Sequence, residues 1–164
     1  MPDLLHRLNI NTDVGHKIIT GFIRDQVQKA GMKRAVLGLS GGIDSALSAY
    51  LSADALGAEN VLCVRMPYKT SAQASLDDAQ LVIDALGLPI TPMADALIDR
   101  FPDMSNLRKG NIMARLRMVT LYDQSVAWGG LVMGTSNKTE FLLGYSTIYG
   151  DSGVAIQPIA DLYK

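Results

Sequence analysis

The sequence predicts an α/β fold, a doubly wound parallel sheet with helices on both of its faces. Three observations predict it. Short, unbroken apolar runs (AVLGL at 35–39, VLCVRM at 61–66, LVMG at 131–134) read as strands buried on both sides. Longer stretches with helical spacing separate them, which is the pattern of βαβ units. The 164-residue length suits one domain, residues 1–164.

The elements follow in order. Thr12-Asp13 is placed to cap a helix from about Val14 to Ala30. Its apolar positions Val14, Ile18, Ile19, Phe22, Ile23 and Val27 repeat at helical intervals, and Gly31 marks the stop. The first strand covers 35–39. A second helix runs from near Asp44 to Leu56 and ends at Gly57, and a second strand covers 61–66, stopped by Pro67. Ser75 with Asp78 forms a capping-box pattern for a helix that stops at Gly87. Pro89-Ile90-Thr91 reads as a weak third strand. A long helix spans about Asn106 to Ala127, and 131–134 is the fourth strand. Segment 144–153, GYSTIYGDSG, is rich in glycine and hydroxyls and reads as a mobile loop.

Composition excludes several kinds of function. A single cysteine, Cys63, leaves no internal disulfide, cysteine-rich zinc site or CxxC redox pair. In its strand it reads as core rather than as a nucleophile. Two histidines argue against a histidine-ligated metal or a Ser-His-Asp hydrolase. Fifteen Lys+Arg against sixteen Asp+Glu give a net charge of -1, so no long-range field draws the chain to nucleic acid or an anionic membrane. The sequence shows neither a signal-peptide core nor an apolar run long enough to span a bilayer, and a cytoplasmic location is expected.

Ser40-Gly41-Gly42-Ile43-Asp44-Ser45 carries most of the functional information. It joins a buried strand to a helix, and its two glycines let the backbone turn sharply against a ligand. The helix that follows points free N–H groups into the turn, where they and the helix dipole favour an anion. Ser40 and Ser45 add hydroxyls. Asp44 would repel a phosphate there unless a cation lay between them, and Mg²⁺ is the natural one. The spacing is neither that of a GxxxxGK[ST] loop nor that of GxGxxG.

The segment 38–45, GLSGGIDS, resembles the PP-loop of the ATP pyrophosphatase superfamily, whose members cleave ATP between its α and β phosphates to form adenylates. NIMARLRM at 111–118, GTSNKTEFLLGYSTIYGD at 134–151 and QPIADLYK at 157–164 are similar to the ammonia-dependent NAD synthetase pattern. The resemblance covers roughly residues 10–164. It implies a Rossmann-like fold of the adenine nucleotide alpha-hydrolase type, ATP and deamido-NAD as substrates, ammonia as nitrogen donor, Mg²⁺ as cofactor and a homodimer. It also implies that family members continue past Lys164, so that this chain lacks the family's C-terminal part. Another PP-loop enzyme, such as a GMP synthetase core, and a non-catalytic ATP-binding module are the alternatives. A tRNA thiolase would want paired cysteines and a basic surface.

By the same resemblance Gly38, Leu39, Ser40, Gly41, Gly42, Ile43, Asp44 and Ser45 bind ATP with Thr135 and Lys164. Asp44 and Glu140 hold the metal, Arg115 binds deamido-NAD, and Asp151 lies in a lid close to the reacting centre. Taken alone, Glu140 is an exposed loop acid, Arg115 a surface charge, Asp151 a turn residue and Lys164 a frayed end. Arg115 and Arg117, two residues apart on a helix, point to different faces, and the match places Arg115 against the dinucleotide. Lys138 reads equally as a solvated charge. The family's acidic and basic deamido-NAD contacts correspond here to Ile148 and Ala155, so those two roles are not carried over. In a doubly wound sheet the loops after strands one, two and four share one rim, and with strand order 3-2-1-4 strands one and four flank the crevice.

Overall fold

A computed structural model of the protein describes residues 8–69 and 86–164. Among them, four parallel strands form one sheet in the order β3-β2-β1-β4, with β1 Arg34–Leu39, β2 Val61–Arg65, β3 Leu86–Gly87 and β4 Gly130–Met133. Register runs Ala35 to Val61 and to Leu131, so β1 is paired on both edges.

Alternation along β1 divides the core in two. Ala35, Leu37 and Leu39 face one side with Cys63 and Met133; Val36 faces the other with Val64 and Val132. The first side is covered by α1 (Thr12–Lys29) and α2 (Ile43–Leu56), and the second by the 23-residue α4 (Asn106–Trp128), whose Leu121 reaches the sheet. Burial on both faces explains why the strands read as unbroken apolar runs. Apart from Leu51, the buried residues of α2 are small, Ser45, Ser48, Ala49, Ser52 and Ala55, which lets the helix lie close to the sheet. Burial pushes the Cys63 thiol up to about 11, so it stays protonated.

Local structure departs from the sequence reading in four places. Asn11, rather than Thr12-Asp13, caps α1 and accepts the Val14 N–H at 3.0 Å. The apolar positions of α1 split: Ile23 and Val27 are fully buried, whereas Val14, Ile18 and Phe22 stand exposed in a second row. The third strand is Leu86–Gly87, not 89–91. The Leu88 N–H donates to Arg65 O and the Ile90 N–H to Pro67 O, so pairing carries on past Gly87 with Pro89 at an outward position of the edge strand; Pro92 then presets the first turn of a helix, and Ile90 becomes the buried N-cap of α3 (Thr91–Ile98), which the sequence reading did not include. Gly87, expected to stop a helix, pairs instead with Arg65. The Ser75–Asp78 capping pair of that expected helix lies outside the described residues.

Beyond β4 the chain turns through α5 (Lys138–Leu143) and the loop 144–153 and comes back alongside β4. Ala155 N–H donates to Val132 O at 3.0 Å, Gly134 N–H donates to Ile156 O at 2.7 Å, and Met133 and Ile156 form a parallel bridge. Lys138 N–H then meets Leu162 O at 2.8 Å, which brings the last residues back to the start of α5.

Candidate active site

A cavity of about 780 Å³ opens beyond the carboxyl ends of β1, β2 and β4. Leu39-Ser40, Arg65-Met66-Pro67 and Met133-Gly134-Thr135 supply its floor, α4 one wall and residues 144–151 another. Open α/β sheets bind ligands at this place, where the strand order reverses between β1 and β4.

The loop after β1 holds its shape with its own atoms. Gly41 has φ +83°, a left-handed conformation. Ser40 Oγ accepts the Gly42 N–H at 3.2 Å and lies 3.1 Å from Ser45 Oγ, which in turn donates to Gly42 O at 2.8 Å and accepts the Ser40 N–H at 3.3 Å. Gly42 then opens α2 with no side chain covering the free amides of its first turn, and those amides form an anion-seeking surface. Gly38 keeps the floor open, since a Cβ there would press on Met66 Cε at 3.1 Å.

Three charged groups converge beside this loop. Asp44 Oδ2 accepts from Lys164 Nζ at 3.0 Å and from Asn137 Nδ2 at 3.3 Å. Asn137 also joins Glu140 in a capping box at the start of α5: its N–H donates to Glu140 Oε2 at 3.1 Å, and its Oδ1 accepts the Glu140 N–H at 3.0 Å. Asp44 and Glu140 therefore share one corner, one from each loop flanking the crevice. The hydrogen bond and charge of Asp44 hold the Lys164 ammonium above the usual lysine range; burial opposes this slightly and Glu140 adds a smaller pull. Among the described residues no three acidic, histidine or cysteine side chains gather around one point. Two carboxylates, each with an oxygen to spare, instead suit a hard cation that completes its shell from phosphate and water, as Mg²⁺ does.

The remaining candidates lie elsewhere. Gly38, Leu39, Ser40, Thr135 and Asp151 line the cavity; Arg115 and the corner of Asp44, Glu140 and Lys164 lie outside its lining. Asp151 belongs to a separate cluster, where its Oδ1 accepts the Thr147 N–H at 2.6 Å and Thr147 Oγ1 donates to Asn111 Oδ1 at 2.8 Å. Arg115 is exposed and donates to Ile148 O at 3.1 Å, on the loop 144–153. Of the two arginines of α4 weighed from the sequence, Arg117 is the one that lines the cavity; it donates to Met66 O at 3.2 Å, and loss of hydration lowers its pKa. Sequence reasoning did not single out Asn137 for the site. Its Asn-x-x-Glu spacing signals a helix start, but nothing local points to Asp44.

The chain matches the family described as NAD synthase over residues 16–164. It belongs to that family. The NH3-dependent NAD(+) synthetase of Trichlorobacter lovleyi is 56% identical to it, over 98% of this chain and 60% of its own length. The NH3-dependent NAD synthetase of Campylobacter jejuni, solved with a nitrate ion, superposes with a TM-score of 0.89 at 41% identity, covering 95% of this chain and 70% of that one. A glutamine-dependent NAD+ synthetase from Acinetobacter baumannii, solved with adenosine diphosphate, superposes at 0.85 with 34% identity over 92% of this chain and 30% of its own. The chain spans about three fifths of the length of the curated relatives it matches. These two solved synthetases thus share the fold of the sheet on which this chain places the corner described above.

Proposed function

We propose that the chain carries the ATP-handling core of an ammonia-dependent NAD synthetase. A carboxylate oxygen of deamido-NAD attacks the α phosphorus of ATP, and the bond to the β phosphate breaks to release pyrophosphate. The nitrogen lone pair of ammonia then attacks the acyl carbon; AMP departs, a proton is lost and NAD remains. The observation that supports this reading best is the meeting of Asp44 and Glu140 across Asn137, beside a glycine turn whose helix amides lack a side-chain cap.

In this reading residues 38–45, with Thr135 and Lys164, hold ATP. The loop amides and the Lys164 ammonium offset charge on the departing pyrophosphate. Asp44 and Glu140 hold Mg²⁺, which supplies neutralisation of phosphate oxygens when bound. Arg115 receives deamido-NAD, and Asp151 stands near the reacting carboxyl in a loop that keeps water from the adenylate. No protein nucleophile is needed, because substrate groups make both attacks and the protein orients them. A homodimer working in the cytoplasm completes the proposal.

The test mixes the chain with MgATP and deamido-NAD, with and without ammonium, and measures pyrophosphate, AMP and NAD. NAD formed only with ammonium supports the proposal. ATP binding without substrate-dependent pyrophosphate release, or turnover with xanthosine monophosphate instead, refutes it.

A further inference from the structure

Asn137 is 1% exposed, although the six-residue helix it caps buries no residue of its own. Packing of α5 does not account for that burial. Capping also uses only half of the amide. Because Oδ1 takes the Glu140 N–H, the amide orientation is fixed and Nδ2 must face away from the helix. There it meets Asp44 Oδ2, 93 residues distant in the chain. Its backbone N–H meanwhile holds Glu140 Oε2. One buried residue thus grips one oxygen of each carboxylate. Lys164 addresses the same Asp44 oxygen, so Asp44 Oδ1 and Glu140 Oε1 carry no hydrogen bond among the described residues.

We infer that Asn137 is a positioning residue, fixing the Asp44 and Glu140 carboxylates relative to one another so that Asp44 Oδ1 and Glu140 Oε1 stay available to a divalent cation. The inference rests on the proposed Mg²⁺ role of the two acids and adds the residue through which they are aligned. Magnesium accepts little departure from octahedral geometry, so a ligand pair drawn from two separate loops needs a fixed link. Loss of such outer partners lowers metal affinity by about 10- to 100-fold.

The test separates the cap from the link. Asn137→Ser keeps an oxygen that caps α5 about as well as asparagine and removes Nδ2. Asn137→Thr is the second variant, filling more of the vacated space should the serine variant fold poorly. Mn²⁺ serves as the probe, titrated into the chain with and without ATP and into ATP alone, and electron paramagnetic resonance reads the Mn²⁺ held by the chain as the loss of free Mn²⁺ beyond that of the ATP-only control. Asn137→Ser is expected to melt within about 3 °C of the unsubstituted chain, to bind Mn²⁺ about 10-fold more weakly and to bind ATP without metal unchanged. Unaltered Mn²⁺ affinity in a variant that melts normally overturns the inference and leaves Asn137 a helix cap only. An equal fall in metal-free ATP affinity also overturns it, since the defect would then lie in the whole loop. If the unsubstituted chain retains no Mn²⁺ with or without ATP, the proposed function falls together with the inference; if it retains Mn²⁺ and the variant does so equally, the inference alone falls.

Discussion

Two of the loops that meet the cavity enter the left-handed region, and they accommodate it differently. After β1 the residue is Gly41 at φ +83°, where the absent side chain removes the strain. In the loop 144–153, beyond Gly144 that ends α5 at φ +63°, it is Tyr149 at φ +57°, a bulky residue that disfavours this conformation. The first loop closes on itself through two serine hydroxyls within six residues. The second is fastened repeatedly: Thr147 N–H to Asp151, Ser152 Oγ to Thr147 O at 2.8 Å, Gly150 N–H to Thr147 O at 2.8 Å, and Arg115 to Ile148 O. A strained non-glycine residue persists only where its surroundings over-determine it. The contrast teaches that the β1 loop is shaped by its own short turn, whereas loop 144–153 is held by internal bonds together with two links to α4, Arg115 to Ile148 O and Thr147 Oγ1 to Asn111 Oδ1.

Four substitutions sharpen or break this contrast, from the largest effect to the smallest. Asp44→Ala removes a charge from the corner beside the self-shaped loop without disturbing its serine bonds. Metal-dependent pyrophosphate release should fall on the order of 100-fold or more, while circular dichroism stays unchanged; full activity would remove Asp44 from the chemistry. Gly41→Ala places a Cβ in the left-handed region and should destabilise by about 1–2 kcal/mol in denaturant melts, with weaker ATP binding. A neutral result would mean that glycine is not what lets this loop turn. Asp151→Ala deletes one fastening of the second loop and should cost about 1–2 kcal/mol, accompanied by faster proteolysis within 144–153. If the loop is cut no faster, its cross-links do not maintain it. Tyr149→Gly relieves about 1 kcal/mol of strain but frees the unfolded chain by a similar amount, about 0.5–1 kcal/mol. Its denaturation midpoint should therefore hardly move, and a large change in either direction would show that the Tyr149 side chain matters for reasons other than its backbone.

Sequence legibility follows the same division. Strands β1, β2 and β4 were legible because burial leaves unbroken apolar runs, whereas the short, exposed β3 was not; the β1 loop was legible because its six residues determine its turn. Element ends were less so: Asn11 caps α1 through a contact three residues away, and the Pro89-Ile90 run reads as the third strand although it lies just beyond β3, where Pro92 turns the chain into α3. α1 reads as one apolar stripe, yet only the row containing Ile23 and Val27 meets the sheet. In the site, the motif residues were recognisable by local pattern. Asn137 and Arg117 were not, because what distinguishes them are partners at Asp44 and Met66 that only the folded chain brings near.

The route of residues 154–164 beside β4 has a kinetic consequence. The contact between Lys164 and Asp44 joins positions 120 residues apart, while β1 and β2 pair across a single helical connection. Closing long loops costs more entropy, and contacts of great sequence separation form slowly. Closing β1 onto β2 is therefore the less costly step, whereas both the β1–β4 pairing and the Lys164–Asp44 contact close long stretches of chain, so completing the sheet and completing the acidic corner carry a similar entropic cost.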